Sequence, residues 1–164
     1  MITLISPTPA GFAELASILS RLADGRAALG DALVSAMGTD AGLYADAAKL
    51  RRKAATPQKF WHFVTIMPGT LGQGTPALGL LLAQSRTSQA IYGPEIAAAA
   101  SSPQVAADAC LAARDAQLMA AQAGKDLALW FARHGASGTT YSMTAHLDEQ
   151  EAEHLADWAR QLRP

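Results

Sequence analysis

Charge is scarce in this sequence, cysteine is almost absent and aromatic residues are few. Only 16% of the 164 residues are Asp, Glu, Lys or Arg, and thirteen bases against fourteen acids leave a net charge of −1. That balance excludes the broad electrostatic attraction on which non-specific binding to nucleic acid or an acidic membrane depends. The lone cysteine, Cys110, excludes an intramolecular disulfide, a thiolate metal cage and a CxxC redox pair. The fold must therefore stand on packing. The longest uncharged run, Phe60 to Ser85, is interrupted by Pro68, Gly69, Gly72, Gln73, Gly74 and Pro76, so no membrane span is expected from it. The opening Met1-Ile-Thr-Leu-Ile-Ser-Pro lacks the basic and long apolar regions of a secretory signal, and the expected location is the cytoplasm.

Half of the residues are hydrophobic, enough for one globular domain over 1–164 with a genuine core. Thirty-seven are alanine, and Arg outnumbers Lys nine to four, a usage that suggests a GC-rich bacterial genome. Four Ser/Thr-Pro pairs, Thr8-Pro9, Thr56-Pro57, Thr75-Pro76 and Ser102-Pro103, each place a hydroxyl at a helix N-cap and a proline ring at the first helical position. They read as helix starts. After Pro9, residues Phe12, Leu15, Ile18, Leu19 and Leu22 form an apolar stripe expected to end near Gly25. Leu29, Leu33 and Met37 then suggest a second helix up to Gly38, and Thr39 a cap for a third that carries Leu43, Ala47 and Leu50.

From Ser102 a single face is held by Val105, Ala109, Ala112, Ala116, Met119, Ala123, Leu127 and Trp130, which predicts a long central helix. Arg133 and His134 suit its negative end, and Gly135 its left-handed stop. Beyond it, Thr139, Tyr141, Met143, Ala145 and Leu147 alternate with Thr140, Ser142, Thr144 and His146, the period of a strand. Asp148 and Glu151 form a D-x-x-E capping box for a last helix that carries Ala152, Leu155, Trp158, Ala159 and Leu162. Residues 60–67 fit a helical face after Thr56-Pro57 but are also of strand-favouring types; helix is the expectation. The expected fold is a mainly α, single-domain bundle of about five to seven helices, with a small β element at 139–147 as an option.

Chemistry-bearing patterns are faint. The Gly69-x-x-Gly72-x-Gly74 loop before Thr75-Pro76 has neither the Walker order nor a following Lys, and reads as a connecting loop more readily than as a phosphate cradle. His146, Glu151 and His154 contain one Glu-x-x-His pair, weak candidates for a metal, against the plainer reading of a solvated acidic face. No catalytic residue and no cofactor is expected. The basic run Lys49-Leu-Arg-Arg-Lys53 with Lys59 has five positive charges, and the stretch Asp148–Asp157 has five acids. The two runs are candidates to attract one another, within or between chains. Nucleic-acid contact through 49–59 is the third-ranked reading, since no aromatic interleaving accompanies the charge.

The sharpest asymmetry is elsewhere. Between Phe60 and Ala107 only Arg86 and Glu95 are charged. More uncharged length than a small domain readily buries suggests a contact surface, so the leading expectation is a non-catalytic interaction module, an adaptor, chaperone or assembly component. Segment 60–96 would meet a protein partner or a second copy, with Trp61, Phe63, Ile66, Met67, Leu71 and Tyr92 as anchors. The alternative is a small-molecule or enzyme pocket near Gly69–Gly74 formed by His62, Tyr92, Tyr141 and His146.

Overall fold

The computed structural model describes residues 4–38, 41–66 and 92–163, and the six helices below are those of the described residues. Three long helices make the frame: α1 (Pro9–Met37), α5 (Pro103–Arg133) and α6 (Thr139–Leu162). Three shorter ones dress it: α2 (Ala41–Ala54), α3 (Pro57–Ile66) and α4 (Tyr92–Ala99). This is the mainly helical bundle that periodicity predicts. None of the helices is long and apolar enough to cross a membrane.

The Ser/Thr-Pro pairs act as read at two sites and differently at a third. Thr8 Oγ1 accepts from Gly11 N at 3.0 Å and Ser102 Oγ from Val105 N at 3.2 Å, each with proline inside the first turn. Thr56 also precedes a helix, but its hydroxyl donates back to Arg52 O at 3.4 Å. Thr75-Pro76 and Thr39 lie outside the described residues. At the far end of α5, Gly135 takes a positive φ of 78°, as expected of the residue beyond the C-cap.

Two sequence expectations are corrected. The first helix does not end at Gly25 but runs unbroken to Met37. Gly25 is instead a point of close approach between α1 and α5: a Cβ there would stand 2.9 Å from Ala120 N. The buried series Leu15, Ile18, Leu19, Leu22, Leu29 and Leu33 passes straight through it. The second correction concerns 139–147, which is the first half of α6 and not a strand. The buried positions there are Tyr141, Thr144, Ala145, Asp148, Glu151, Ala152, Leu155 and Ala159, a helical face in which three members are polar. With polar residues facing inward and Met143 62% exposed, apolar alternation mimics a strand. It follows that Asp148 and Glu151 do not cap a helix; they sit in the middle of one.

Cross-helix contacts give the topology. Arg133 of α5 pairs with Glu14, and Arg26 with Gln117, so α1 and α5 are antiparallel. Lys125 pairs with Glu149 and Asp108 with Arg163, so α5 and α6 are antiparallel as well. α5 is thus the central post. One apolar cluster fills one end of the frame with Leu15–Ala23, Leu50, Phe60, Ala120–Phe131 and Tyr141. A second fills the other end with Leu29–Leu33, Ile96, Ala106–Ala116, Leu155 and Ala159. Alanine dominates the α5 face of the second cluster, which lets neighbouring backbones approach closely, while Leu127, Trp130 and Phe131 supply the bulk of the first.

Candidate functional site

Between the two apolar clusters lies a polar layer. Arg26 of α1, Gln117 of α5, and Asp148 and Glu151 of α6 are at most 1% exposed. Arg26 Nη1 donates to Gln117 Oε1 at 3.1 Å and to Asp148 Oδ1 at 3.2 Å, while Nη2 donates to Asp148 Oδ2 at 3.0 Å. The guanidinium therefore grips one carboxylate with two nitrogens, the strong fork geometry, and ties all three long helices at one height. Thr144, also buried, donates to Thr140 O at 2.9 Å within its own helix. Burial pushes the Asp148 carboxyl up from its ordinary value, and the Arg26 charge and hydrogen bonds pull the other way. Burial also pushes up the Cys110 thiol, to which the Glu151 carboxylate adds, so Cys110 is an inert core thiol. Arg26 Nη1 and Nη2, Gln117 Oε1 and both Asp148 oxygens are spent on one another, the arrangement of a register-setting core element, while Arg26 Nε and Gln117 Nε2 have no hydrogen-bond partner among the described residues.

The signal for this layer was present in the sequence. Arg26 takes an apolar position in the series Leu19, Leu22, Arg26, Leu29, Leu33, and a charge in such a stripe marks a buried partner elsewhere. Asp148 and Glu151 were missed because their spacing also fits a cap.

Of the proposed partner anchors, Trp61 turns into the bundle. Its ring meets Trp130 edge-on at 5.3 Å and stacks on Phe131 at 5.6 Å, with His134 at 5.8 Å. Trp130 in turn donates from Nε1 to Gly11 O at 3.0 Å. Phe63 and Ile66 belong to α3, settling 60–66 as helix, and Tyr92 begins α4. Met67, Leu71 and the Gly69–Gly74 loop lie outside the described residues. Of the alternative pocket residues, Tyr141 is buried and stacked on Phe131 at 5.1 Å, whereas His146 on the same helix is exposed, 3.2 Å from the Gln150 side-chain nitrogen. His62 is exposed on α3. Tyr141 and His146 therefore do not share a face.

No family model, curated protein or solved structure matches this chain.

The metal candidates are likewise divided: Glu151 is buried, His146 and His154 are exposed, and His154 Nδ1 stands 3.9 Å from Glu151 Oε2. Among the described residues no three His, Cys, Asp or Glu side chains are grouped to hold an ion. The basic and acidic runs find other partners than each other. Arg51 pairs with Asp24 at 3.0 Å and Lys49 with Asp46 at 3.8 Å, while Glu149 pairs with Lys125 at 2.8 Å and Asp157 with Arg160. The expected solvated acidic face is only half correct, since Asp148 and Glu151 point inward.

A surface feature that sequence reasoning passed over is the groove between α5 and α6. It holds a cavity of about 420 Å³ lined by Leu111, Arg114, Ala156, Ala159, Arg160 and Arg163. A second, of about 180 Å³, shares Arg114 and Ala156 and extends to Leu118, Glu149, Ala152 and Glu153. Each arginine already has a carboxylate beside it: Asp115 for Arg114, Asp157 for Arg160 and Asp108 for Arg163. Those neighbours cancel the net field that would draw in a free anion.

Proposed function

We propose that the chain is a non-catalytic protein-interaction module, an adaptor, chaperone or assembly component of the bacterial cytoplasm, that offers the charge-poor stretch 60–96 to a protein partner. The observation that carries this reading is how the two flanks of the stretch are seated. Phe60 and Trp61 are held in the aromatic cluster at one end of the bundle, and Ile96 is buried in the apolar cluster at the other. A frame of three long helices thus grips both flanks of a segment in which Arg86 and Glu95 are the only charges. Contact of this kind draws its energy from desolvated apolar and aromatic side chains. Trp61 serves the frame, so the anchoring falls to Phe63, Ile66, Met67, Leu71 and Tyr92.

The test is a pair of substitutions within the stretch, at Met67 and Leu71. Wild-type protein and Met67→Ser/Leu71→Ser are cross-linked in the source cells and the attached proteins identified, with thermal melts of both as control. The reading expects the same melting midpoint, and a partner recovered with the wild type and lost from the variant. An identical set from both, or none from the wild type, contradicts it.

A further inference from the structure

We propose that the groove between α5 and α6 is a self-complementary docking surface, and that its occupant is the same groove of a second copy of this chain. The surface is separate from the stretch 60–96 and its argument does not depend on that stretch. The groove carries unlike side chains at its two ends, although each arginine has a carboxylate beside it and Glu149 has Lys125. Glu149 and Glu153 stand at one end, Arg160 and Arg163 at the other, and Arg114 with Ala156 at the junction of the two cavities. A two-fold axis through that junction superposes unlike ends. Residues 153 and 160 lie three and four residues to either side of Ala156 on the same helical face, so Glu153 of one copy is brought near Arg160 of the other, twice.

The apolar parts obey the same symmetry. On the antiparallel α5, Leu118 lies at the acidic end and Leu111 at the basic end, so the axis brings Leu118 of one copy against Leu111 of the other. Leu118 is 45% exposed in the isolated chain, an apolar side chain that this contact covers. The small side chains of Ala152, Ala156 and Ala159 permit close approach between the facing helices. The like charges that the axis brings together, Arg114 on Arg114, are relieved by Asp115. That carboxylate is 2.8 Å from its own Arg114 and 67% exposed, placed to accept from the other copy's guanidinium as well. Glu153 makes no ion pair among the described residues, and the Arg160 side chain is 73% exposed, so both retain capacity for a partner.

From residue 149 to residue 163 the face runs about 21 Å along α6, at 1.5 Å per residue, which places the contact among the small, reversible interfaces. It is concentration-dependent and weakened by salt, because its specificity lies in exposed charges.

Molar mass by light scattering over a concentration series, at low salt, tests the proposal on the wild type, Arg160→Glu, Glu153→Arg and the charge-swapped double variant Arg160→Glu/Glu153→Arg. The expected result is a wild-type mass that climbs towards twice that of the monomer. Each single reversal abolishes the climb, the double variant restores it, and high salt suppresses it. All four should melt alike, since both side chains are on the surface. A wild type that stays monomeric throughout overturns the proposal and leaves the groove to an acidic or basic helix of another protein. So does a dimer insensitive to the single reversals, or a double variant that fails to recover. Met67→Ser/Leu71→Ser keeps the dimer; its loss in that variant alone assigns self-association to the stretch 60–96 and overturns the groove.

Discussion

A buried arginine that grips a buried aspartate is the residue on which the rest of the chain turns. Arg26 and Asp148 are out of water, and the carboxyl is pushed up by burial while the guanidinium opposes the shift. The sign of the consequence is fixed. With a native value above the unfolded one, the folded protein holds a proton that the unfolded chain has released. Stability from Asp148 is therefore greatest in acid and is lost as pH rises from the ordinary carboxylate range through the raised native value. The stability difference between wild type and Asp148→Asn, from urea melts at several pH values, should shrink over that window as pH rises; a difference that grows contradicts the shift. At Tyr141 the expectation is milder. Its hydroxyl is buried with no hydrogen-bond partner among the described residues, so Tyr141→Phe should be neutral or stabilising by up to about 1 kcal/mol in the same melts. A loss beyond that amount reveals a partner for the hydroxyl. Cys110, fully buried, should react with a thiol reagent at a rate that follows unfolding and not the reagent's intrinsic rate.

Among the elements, glycine gives the sharpest contrast. A Cβ at Gly25 would be 2.9 Å from the α5 backbone at Ala120, whereas one at Gly11 would meet nothing closer than 3.4 Å. Gly25→Ala should therefore cost about 1–3 kcal/mol despite alanine's better helix propensity. Gly11→Ala should be neutral or slightly stabilising. Chemical denaturation of the two variants checks this; equal effects would mean that α1 and α5 are further apart than described. How legible each element was depends on what its buried face contains. α5 could be read as a helix along its whole length because its buried positions are mostly small or apolar, with Gln117 the polar one among them, although Ala112 and Met119 of the face read for it are exposed. α1 was legible on both sides of Gly25, to Gly38, but was cut in two there, where a residue that permits close packing resembles a stop. The first half of α6 was misread because Thr144, Asp148 and Glu151 occupy inward positions, and hydrophobic periodicity has no term for a polar residue with a buried partner on another helix. The α5–α6 groove had no signature at all, since it arises from two helices whose pairing is a tertiary fact.

At the scale of the whole molecule, two apolar half-cores are joined through one polar layer. The lower and upper clusters each draw on α1, α5 and α6, and Arg26, Gln117 and Asp148 sit at the height where one gives way to the other. Slipping one long helix by a turn would break the contacts of Arg26 with Gln117 and Asp148, so the layer fixes the register that apolar packing of so many alanines leaves loose. Trp61 and Trp130 belong to one half and Trp158 to the other, giving an optical reporter for each. The most direct test of this account is the double-mutant cycle of Arg26→Met, Asp148→Met and the two combined, followed by urea unfolding. The account predicts that each single substitution costs about 3–5 kcal/mol, because it strands a buried charge, and that the combined variant costs much less than their sum. Small single losses that simply add would contradict it, and the register of the bundle would then rest on its apolar packing alone.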